Sequence, residues 1–374
     1  MRNPLNVGIV GLGYWGPNLA RNFNTLPGCK LAMISDRDQR RLTHVQELYP
    51  SARGEPDYKS LIDKPALDAI VIATPAKTHF PIAKASLLAG KHILIEKPLA
   101  CSVAECEELV DLAHSKGLIL MVSHTFLYSP EIAKIKEIVD SGDVGEIRYI
   151  STRRLNLGLF QNDINVAWDL APHDLSIILH IMGESPKFVN CQGSAHINPS
   201  IEDVTAMSLQ FENERSAVIQ SSWLDPRKVR EMTIVGSKRM ILYDDVATQE
   251  KIKIFDARVE QPPHYDTFAE FHYAYHHGDM YVPYVKQEEP LKNECQHFID
   301  CIIDGKTPLT NGKNGTEVVR ILAASSESLK RNGEPVSLDR SEISEKGKTT
   351  AIKDTFSRVL SQKKQKRDKF VPSY

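Results

Sequence analysis

Two short stretches of the sequence carry residue types and spacings that could support chemistry. In the first, Gly11, Gly13 and Gly16 follow the apolar run 6–10 in the spacing G-x-G-x-x-G. In this pattern the first glycine makes a tight turn, the second lets backbone approach a pyrophosphate, and the third lets a helix pack on a strand. The phosphates then lie over free N–H groups and the positive end of the helix dipole. The stretch predicts a dinucleotide-binding turn rather than a purely structural one.

An acidic residue supports this prediction and bears on the choice of cofactor. The next apolar run, 31–35, ends at Asp36, where a carboxylate would accept hydrogen bonds from ribose hydroxyls and repel a 2′-phosphate. Arg37 and Arg40 act in the opposite direction, because a guanidinium can pair with that phosphate. NAD is therefore the expected cofactor, and NADP is the less favoured one.

The second stretch, 165–182, combines a carboxylate and an imidazole at helical spacing. Pro172 is expected in the first turn of this helix or just before it, since a proline deeper inside would break the helix. Asp169 and His173 are four residues apart, so their side chains can project together from the helix start. A carboxylate beside an imidazole orients it and raises its basicity, which suits proton exchange with a hydroxyl. An isolated pair of this kind is more often a surface ion pair.

The elements that must position these residues are clearest in the first third of the chain. Mostly apolar segments alternate there with amphipathic ones, which predicts a doubly wound α/β domain with a parallel sheet. Ligands of such a sheet bind outside the carboxyl ends of its strands. Strands are predicted at 6–10, 30–35, 68–73, 92–95 and 118–122, with helices such as 38–48 and 81–89 between them.

Polar residues follow three of these strands, at 74–79, at Glu96-Lys97-Pro98 and at 123–125. A charged pair after a strand usually belongs to a solvated loop. Here the strand end would face the nicotinamide side of the site, which favours a functional role. The predicted cofactor-binding residues are Gly11, Gly13, Tyr14, Trp15, Gly16, Asp36, Arg37, Thr74, Pro75, His79, Glu96 and Lys97.

Beyond residue 125 the pattern changes to longer alternating segments. A helix is predicted at 130–141, and hairpin-length gaps at 212–215 and 236–238 indicate a large, mostly antiparallel open sheet. Such a sheet needs a cover on each face, so helices are expected on one and a second subunit on the other, giving a homodimer or homotetramer. The predicted strands are 146–156, 187–197, 204–212, 216–224, 230–235, 239–243 and 250–255. The predicted units are a Rossmann domain at 1–125, an α+β domain at 126–338 and a charged tail at 339–374.

Two regions allow more than one interpretation. The segment 257–290 is rich in aromatic residues and histidine, and His272 and His276 could bind a metal if helical, although packing or an intersubunit contact is favoured and no metal is expected. Helices are predicted after it at 291–304 and 315–331. The basic tail is expected to be a solvated, partly frayed helix rather than an arm that binds nucleic acid.

Composition limits the class of protein. The chain has 374 residues, 41% of them hydrophobic and 25% charged, with a net charge of −2, which gives no electrostatic footprint for nucleic acid. No apolar run is long enough to span a membrane, and a strand starting at residue 6 leaves no room for a signal peptide. Six scattered cysteines without a C-x-x-C pair favour the reduced cytoplasm.

The sequence resembles the Gfo/Idh/MocA family over essentially its whole length. The resemblance is carried by the glycine pattern at 11–16, by Glu96-Lys97-Pro98 and by Asp169-x-x-x-His173-Asp174. It implies a Rossmann domain followed by an α+β domain whose open sheet mediates oligomers, with Lys97, Asp169 and His173 at a sugar- or polyol-binding cleft. One departure, the tripeptide 166–168 in place of a glycine-rich lead-in, leaves the shape of the substrate open.

The implied reaction is hydride transfer between a secondary alcohol and nicotinamide C4. His173 would exchange the hydroxyl proton, Lys97 would stabilise the charge on the same oxygen, and Asp169 would orient His173. Glu96 would shape the loop without a chemical role. The expected substrate contacts are Lys97, Tyr128, Arg154, Asn156, Asn165, Asp169 and His173.

The expected substrate is a nucleotide-linked pyranose that reacts at a ring carbon such as C3. Arg154 could meet its diphosphate, or could instead cross the open sheet to another subunit. The alternatives are a dehydrogenase of a polyol or simple glycoside, an NAD-dependent glycoside-cleaving enzyme with no net redox change, and a ligand-sensing regulator.

Overall fold

The computed structural model describes residues 4–260 and 274–339. Its first sheet has six parallel strands in the order β3-β2-β1-β4-β5-β6. The direction of the strand order reverses between β1 and β4, which is where ligands bind in open sheets of this type. The strands are β1 (Leu5–Val10), β2 (Cys29–Ser35), β3 (Arg53–Glu55), β4 (Ala69–Ile72), β5 (His92–Glu96) and β6 (Leu120–Ser123).

Helices cover both faces of this sheet and explain its apolar sequence. Strand β4 is buried at all four positions, as expected for a parallel strand packed on two sides. The doubly wound α/β prediction is confirmed, and the polar three-residue β3 was missed because it has no apolar pattern. The helices are α1 (Gly16–Thr25), α2 (Gln39–Leu48), α3 (Lys59–Ile62), α4 (His79–Leu88) and α5 (Val103–Ser115).

The second sheet has nine strands in the order β14-β13-β12-β11-β7-β10-β9-β8-β15. Neighbouring strands are antiparallel except β7 and β10, so the prediction of an open, mostly antiparallel sheet is confirmed. Its strands are β7 (Ile147–Leu157), β8 (Phe188–Ser194), β9 (Val204–Gln210), β10 (Ser216–Ser222), β11 (Leu224–Gly236), β12 (Met240–Asp244), β13 (Ile252–Glu260), β14 (Ala274–Tyr281) and β15 (Val336–Ser337). The remaining helices are α6 (Pro130–Asp140), α7 (Val166–Met182), α8 (Pro290–Asp304) and α9 (Gly312–Lys330).

Helix α7 packs on the inner face of this sheet and carries two of the predicted site residues. It begins at Val166 because the side chain of Asn165 caps it, accepting the N–H of Trp168 at 3.2 Å. Pro172 therefore lies in the second turn, and its predicted place in the first turn is wrong. Burial of the apolar stripe and the N-cap outweigh the hydrogen bond that this proline cannot donate.

After β14 the chain returns to the first sheet, before β15 completes the second. Helix α8 contributes Phe298 to the core around β1 and β2, where its ring meets Phe23 edge to face at 6.4 Å. Helix α9 then packs on α5 and β6 as well as on α7 and β8. The boundaries proposed along the sequence at 125 and 338 therefore stay predictions.

The outer face of the second sheet exposes apolar side chains. In β10, Ala217 and Ile219 are buried, whereas Val218 between them is 42% exposed. His276 lies on strand β14 and its ring faces the Asp256 carboxylate at 2.9 Å, so the helical spacing needed for the metal interpretation does not hold. His272 lies outside the described residues.

Candidate active site

A cleft of about 530 Å³ lies at the carboxyl ends of β1, β2 and β4. It contains eight of the predicted cofactor residues: Gly11, Gly13, Tyr14, Trp15, Asp36, Arg37, Thr74 and Pro75. Tyr14 is 82% exposed beside Trp15, so the turn presents aromatic surface to the cleft. Within residues 4–260 and 274–339, no side chain caps the N-terminus of α1, which leaves its first N–H groups open to a phosphate.

The three glycines differ in why they must lack a side chain. A Cβ on Gly11, where φ is +95°, would lie 2.6 Å from the carbonyl oxygen of Ala73. A Cβ on Gly16 would lie 2.2 Å from the carbonyl oxygen of Gly11. At Gly13 the nearest atom is Nη1 of Arg41 at 3.7 Å, so no atom of the described residues excludes a side chain there. Close approach of a ligand is the remaining reason for Gly13, which fits a pyrophosphate.

Asp36 directly follows β2 and lies at the edge of the cleft, the place predicted for it. Its Oδ2 accepts the N–H of Leu12 at 2.7 Å and its Oδ1 accepts the N–H of Asp38 at 2.8 Å. These bonds fix the carboxylate against the glycine turn, where its remaining lone pairs suit ribose hydroxyls. Arg41, which the sequence did not single out, lines the cleft with Arg37, whereas Arg40 does not.

His79 is not free to contact a cofactor through its ring nitrogens. Its Nδ1 faces the carbonyl oxygen of Pro98 at 2.7 Å, and its Nε2 faces that of Thr74 at 2.8 Å. Burial lowers the pKa of this histidine. The predicted role in cofactor binding is corrected to a brace between the loops that follow β4 and β5.

Lys97 and Asp169 meet between the two sheets. The Nζ of Lys97 donates to the carbonyl oxygen of Asp169 at 2.8 Å and lies 3.6 Å from its carboxylate. The other carboxylate oxygen accepts the indole N–H of Trp223 at 3.1 Å. Asp169 is therefore held by the residue that follows β5 and by the residue between β10 and β11, not by the histidine one turn away.

His173 is oriented differently from the prediction. Its Nδ1 is buried without a hydrogen bond to any described residue, so Asp169 does not orient the ring. The ring packs edge to face on Phe126, with centroids 5.0 Å apart. Its Nε2 is neither sealed in the interior nor bonded within the described chain, so it is the nitrogen available to a substrate. Burial, with Lys97 and other nearby cations, lowers the pKa well below 6.5.

Arg154 forms a buried ion pair. Its Nε and Nη2 donate to the two carboxylate oxygens of Asp174 at 2.9 and 3.1 Å, and its guanidinium lies 4.8 Å from the ring centre of Phe126. Because Asp174 occupies the guanidinium, both predicted roles, a diphosphate contact and a bridge to another subunit, are corrected.

Two other predicted substrate contacts are engaged elsewhere. The Tyr128 hydroxyl pairs with the hydroxyl of Thr310 at 2.8 Å, inside the protein. Besides capping α7, Asn165 donates to the Glu202 carboxylate at 2.8 Å and lines a separate cavity of about 600 Å³. Neither Lys97 nor His173 lines that cavity.

Asn156 remains available. Its side chain lies beside Gly158 and Trp223, because a Cβ on that glycine would meet both residues within 3.0 Å. Its amide forms no hydrogen bond within the described part of the chain. Asn156 lies next to the indole that holds Asp169, and its role as a substrate contact stays a prediction.

Two buried carboxyl groups lie under the site. The Ser123 hydroxyl lies 3.3 Å from a carboxyl oxygen of Glu96 and 3.1 Å from one of Glu294, and Thr125 donates to Glu294 at 2.9 Å. Burial raises the pKa of Glu96 to about 7 and that of Glu294 well above 4.5. Glu96 thus braces the ends of β5 and β6 from below and does not line the cofactor cleft.

Sequence reasoning missed Trp223, Phe126 and Arg230. Arg230 pairs with Asp245 at 3.3 Å, stays 36% exposed, and lies 5.8 Å from the centre of the Phe126 ring. These residues come from the junction of β10 and β11, a short 3₁₀ turn and the interior of β11, and no spacing in the sequence links them to His173. Among the described helices, none is both long and apolar enough to cross a bilayer.

Comparison with known proteins agrees with this arrangement. Residues 5–124 match the model of the oxidoreductase family with an NAD-binding Rossmann fold, and residues 132–242 match the GFO/IDH/MocA C-terminal domain. The scyllo-inositol 2-dehydrogenase (NAD⁺) of Bacillus subtilis (strain 168) is 25% identical over 352 residues, which are 91% of this chain and 98% of that protein.

A second relative is a nucleotide-sugar enzyme. The UDP-N-acetylglucosamine 3-dehydrogenase of Acidithiobacillus ferrooxidans is 28% identical over 242 residues, 64% of this chain and 74% of that protein. A solved structure of this enzyme shares the fold with a TM-score of 0.74 at 22% identity, covering 88% of this chain and 99% of that one. The chain belongs to the Gfo/Idh/MocA family and is an NAD-binding oxidoreductase.

Proposed function

We propose that the chain transfers hydride between NAD and a secondary alcohol or ketone of a nucleotide-linked pyranose, at a ring carbon such as C3. The observation that carries the proposal is the grouping of Lys97, Asp169 and His173 at the carboxyl edge of the first sheet. Similarity to a UDP-N-acetylglucosamine 3-dehydrogenase supports the nucleotide and the ring position.

In the oxidation direction, Nε2 of His173 takes the proton of the substrate hydroxyl as hydride leaves the carbon that bears this hydroxyl. The lowered pKa keeps His173 neutral at pH 7, so it is ready to act as a base. Lys97 uses one N–H on the carbonyl of Asp169 and directs its others at the reacting oxygen, where it stabilises negative charge. NAD, when bound, supplies the hydride acceptor.

Two further groups contact the sugar and the nucleotide in this proposal. Ring hydroxyls of the sugar bind to the free amide of Asn156 and to the exposed edge of the Asp169 carboxylate. An analogue that lacks one of these hydroxyls binds less well, because it leaves one of the two protein groups without a hydrogen-bond partner. The diphosphate lies near Arg230, which is the partly exposed guanidinium beside Phe126. Oligomerisation through the outer face of the second sheet, around Val218, is part of the same proposal.

A polyol or simple glycoside is the second candidate for the substrate. Engagement of Arg154 by Asp174 favours it, because the guanidinium expected to meet a diphosphate is occupied. Similarity to a scyllo-inositol dehydrogenase over 91% of the chain supports it as well.

The test compares kcat/KM for UDP-N-acetylglucosamine, N-acetylglucosamine, its methyl glycoside and scyllo-inositol, followed by nicotinamide absorbance. The proposal expects the UDP-sugar to be preferred, and Arg230→Ala to raise KM for that substrate alone. Equal turnover of the free sugar, or preference for the inositol, contradicts the nucleotide part. Release of sugar without accumulation of NADH would identify glycoside cleavage, and binding without turnover of any of the four would favour a sensor.

A further inference from the structure

Three buried ring nitrogens beside the active site have no hydrogen-bond partner among the described residues. They are Nδ1 of His173 and both nitrogens of His124, whose side chain is 1% exposed. His124 follows β6 and immediately precedes the 3₁₀ turn Thr125–Tyr128, which packs on α7. Phe126 of that turn touches the ring of His173. The two imidazoles are therefore neighbours on packed elements.

His124 can do for His173 what the other nearby groups cannot. The groups that act on His173 electrostatically are Lys97, Arg154, Arg230 and His124. The first three are cations that only donate hydrogen bonds. Burial and Lys97 lower the pKa of His124 to about 4, so this imidazole stays neutral. One of its ring nitrogens then has a lone pair that can accept a hydrogen bond.

The nearby carboxylates, Asp169 and Asp174, form no hydrogen bond with Nδ1 of His173. Asp169 is held by Trp223 and Lys97, and Asp174 is held on both oxygens by Arg154. An imidazole N–H that is buried without an acceptor is destabilising, so Nδ1 of His173 carries its proton only if an acceptor stabilises it.

We propose that His124 is the positioning residue that fixes the tautomer of His173. A water bound between the rings accepts the Nδ1–H of His173 and donates to a ring nitrogen of His124, since the two rings share no direct hydrogen bond. The lone pair of His173 is thereby kept on Nε2, where it faces the substrate. The inference rests on His173 as the proton carrier of the proposed function.

The direct test is ¹H–¹⁵N multiple-bond NMR of ¹⁵N-histidine-labelled, NAD-bound enzyme, with His173→Asn used to assign the ring. The wild type is expected to show His173 as the Nδ1–H tautomer. His124→Phe keeps an aromatic ring but removes the acceptor, so it should give a mixture of tautomers. His124→Gln retains a carbonyl acceptor and should restore the single tautomer. An Nε2–H tautomer in the wild type, or an unchanged tautomer in His124→Phe, overturns the inference.

Kinetics separate this positioning role from a merely structural one. In His124→Phe, kcat should fall about tenfold, the effect of one neutral hydrogen bond, while KM and NAD affinity stay constant. The acidic limb of the pH–kcat profile of His124→Phe should move to lower pH, because the imidazolium of His173 also loses the acceptor. His124→Gln should restore both kcat and the position of this limb. If His173→Asn abolishes turnover but His124→Phe matches the wild type, this inference alone fails. If His173→Asn is fully active, the proposed function loses its proton carrier.

Discussion

Replacing Arg154 should damage the fold rather than a substrate contact. Its side chain is 7% exposed and that of Asp174 is 5% exposed, and two hydrogen bonds join them. Arg154→Ala would leave a carboxylate buried without its partner, which costs about 3–5 kcal/mol. The double variant Arg154→Met/Asp174→Leu removes both charges and should recover most of that loss, because apolar replacement of a buried ion pair is often neutral.

Urea unfolding in the presence of saturating NAD measures these differences. Arg153→Ala is the matched control, because Arg153 lies next to Arg154 in β7 but is 44% exposed and 3.7 Å from Glu231, so the loss of its side chain should cost less than about 1 kcal/mol. The reasoning is refuted if Arg154→Ala keeps wild-type stability while KM rises for a UDP-sugar and not for the free sugar. That pattern would restore Arg154 as a diphosphate contact.

Three further predictions follow from the same site. In the wild type, the free energy of unfolding should fall by roughly 3 kcal/mol as pH rises from 4.5 through 7 to 8, and Glu96→Gln should abolish this fall. Urea titrations at each pH measure the fall, with the exposed variant Glu47→Gln as the control. If the stability of Glu96→Gln falls with pH as steeply as that of the wild type, the prediction is contradicted. Trp223→Phe should lower kcat/KM about tenfold, because the Asp169 carboxylate loses a donor, without changing the Kd for NAD. Fluorescence titration should give a lower Kd for NAD than for NADP, and Asp36→Ser should reduce the difference between the two Kd values. Equal or tighter NADP binding to the wild type would show that Asp36 does not set the preference.

The features predicted correctly from the sequence are those set by local chemistry. The glycine turn and Asp36 lie on consecutive elements of one βαβ unit, so fixed spacing places them together. The two sheets were also predictable. Strands buried on both faces, as in the first sheet, are apolar throughout, whereas strands with one open face, as in the second, alternate apolar and polar residues. Prediction of the helix at 165–182 succeeded except at Pro172, where tertiary burial overrode the cost of a proline.

The partners of each site residue could not be predicted, because they come from distant parts of the chain. Asp169 and His173 share a helix face, yet the first is bonded by Trp223, 54 residues away, and the second packs on Phe126. Arg154 and Asp174 meet across a strand and a helix. Spacing along a helix gives the direction of a side chain but not the group that faces it.

The most direct test of the account is a single turnover of NAD-loaded enzyme with UDP-N-acetylglucosamine, comparing the wild type with His173→Asn and Lys97→Met. The account predicts that hydride transfer falls by ~10²–10⁴-fold in each variant, while the Kd for NAD in His173→Asn is unchanged because that side chain is not part of the cofactor cleft. Near-normal hydride transfer in His173→Asn would contradict the central claim that this imidazole carries the proton.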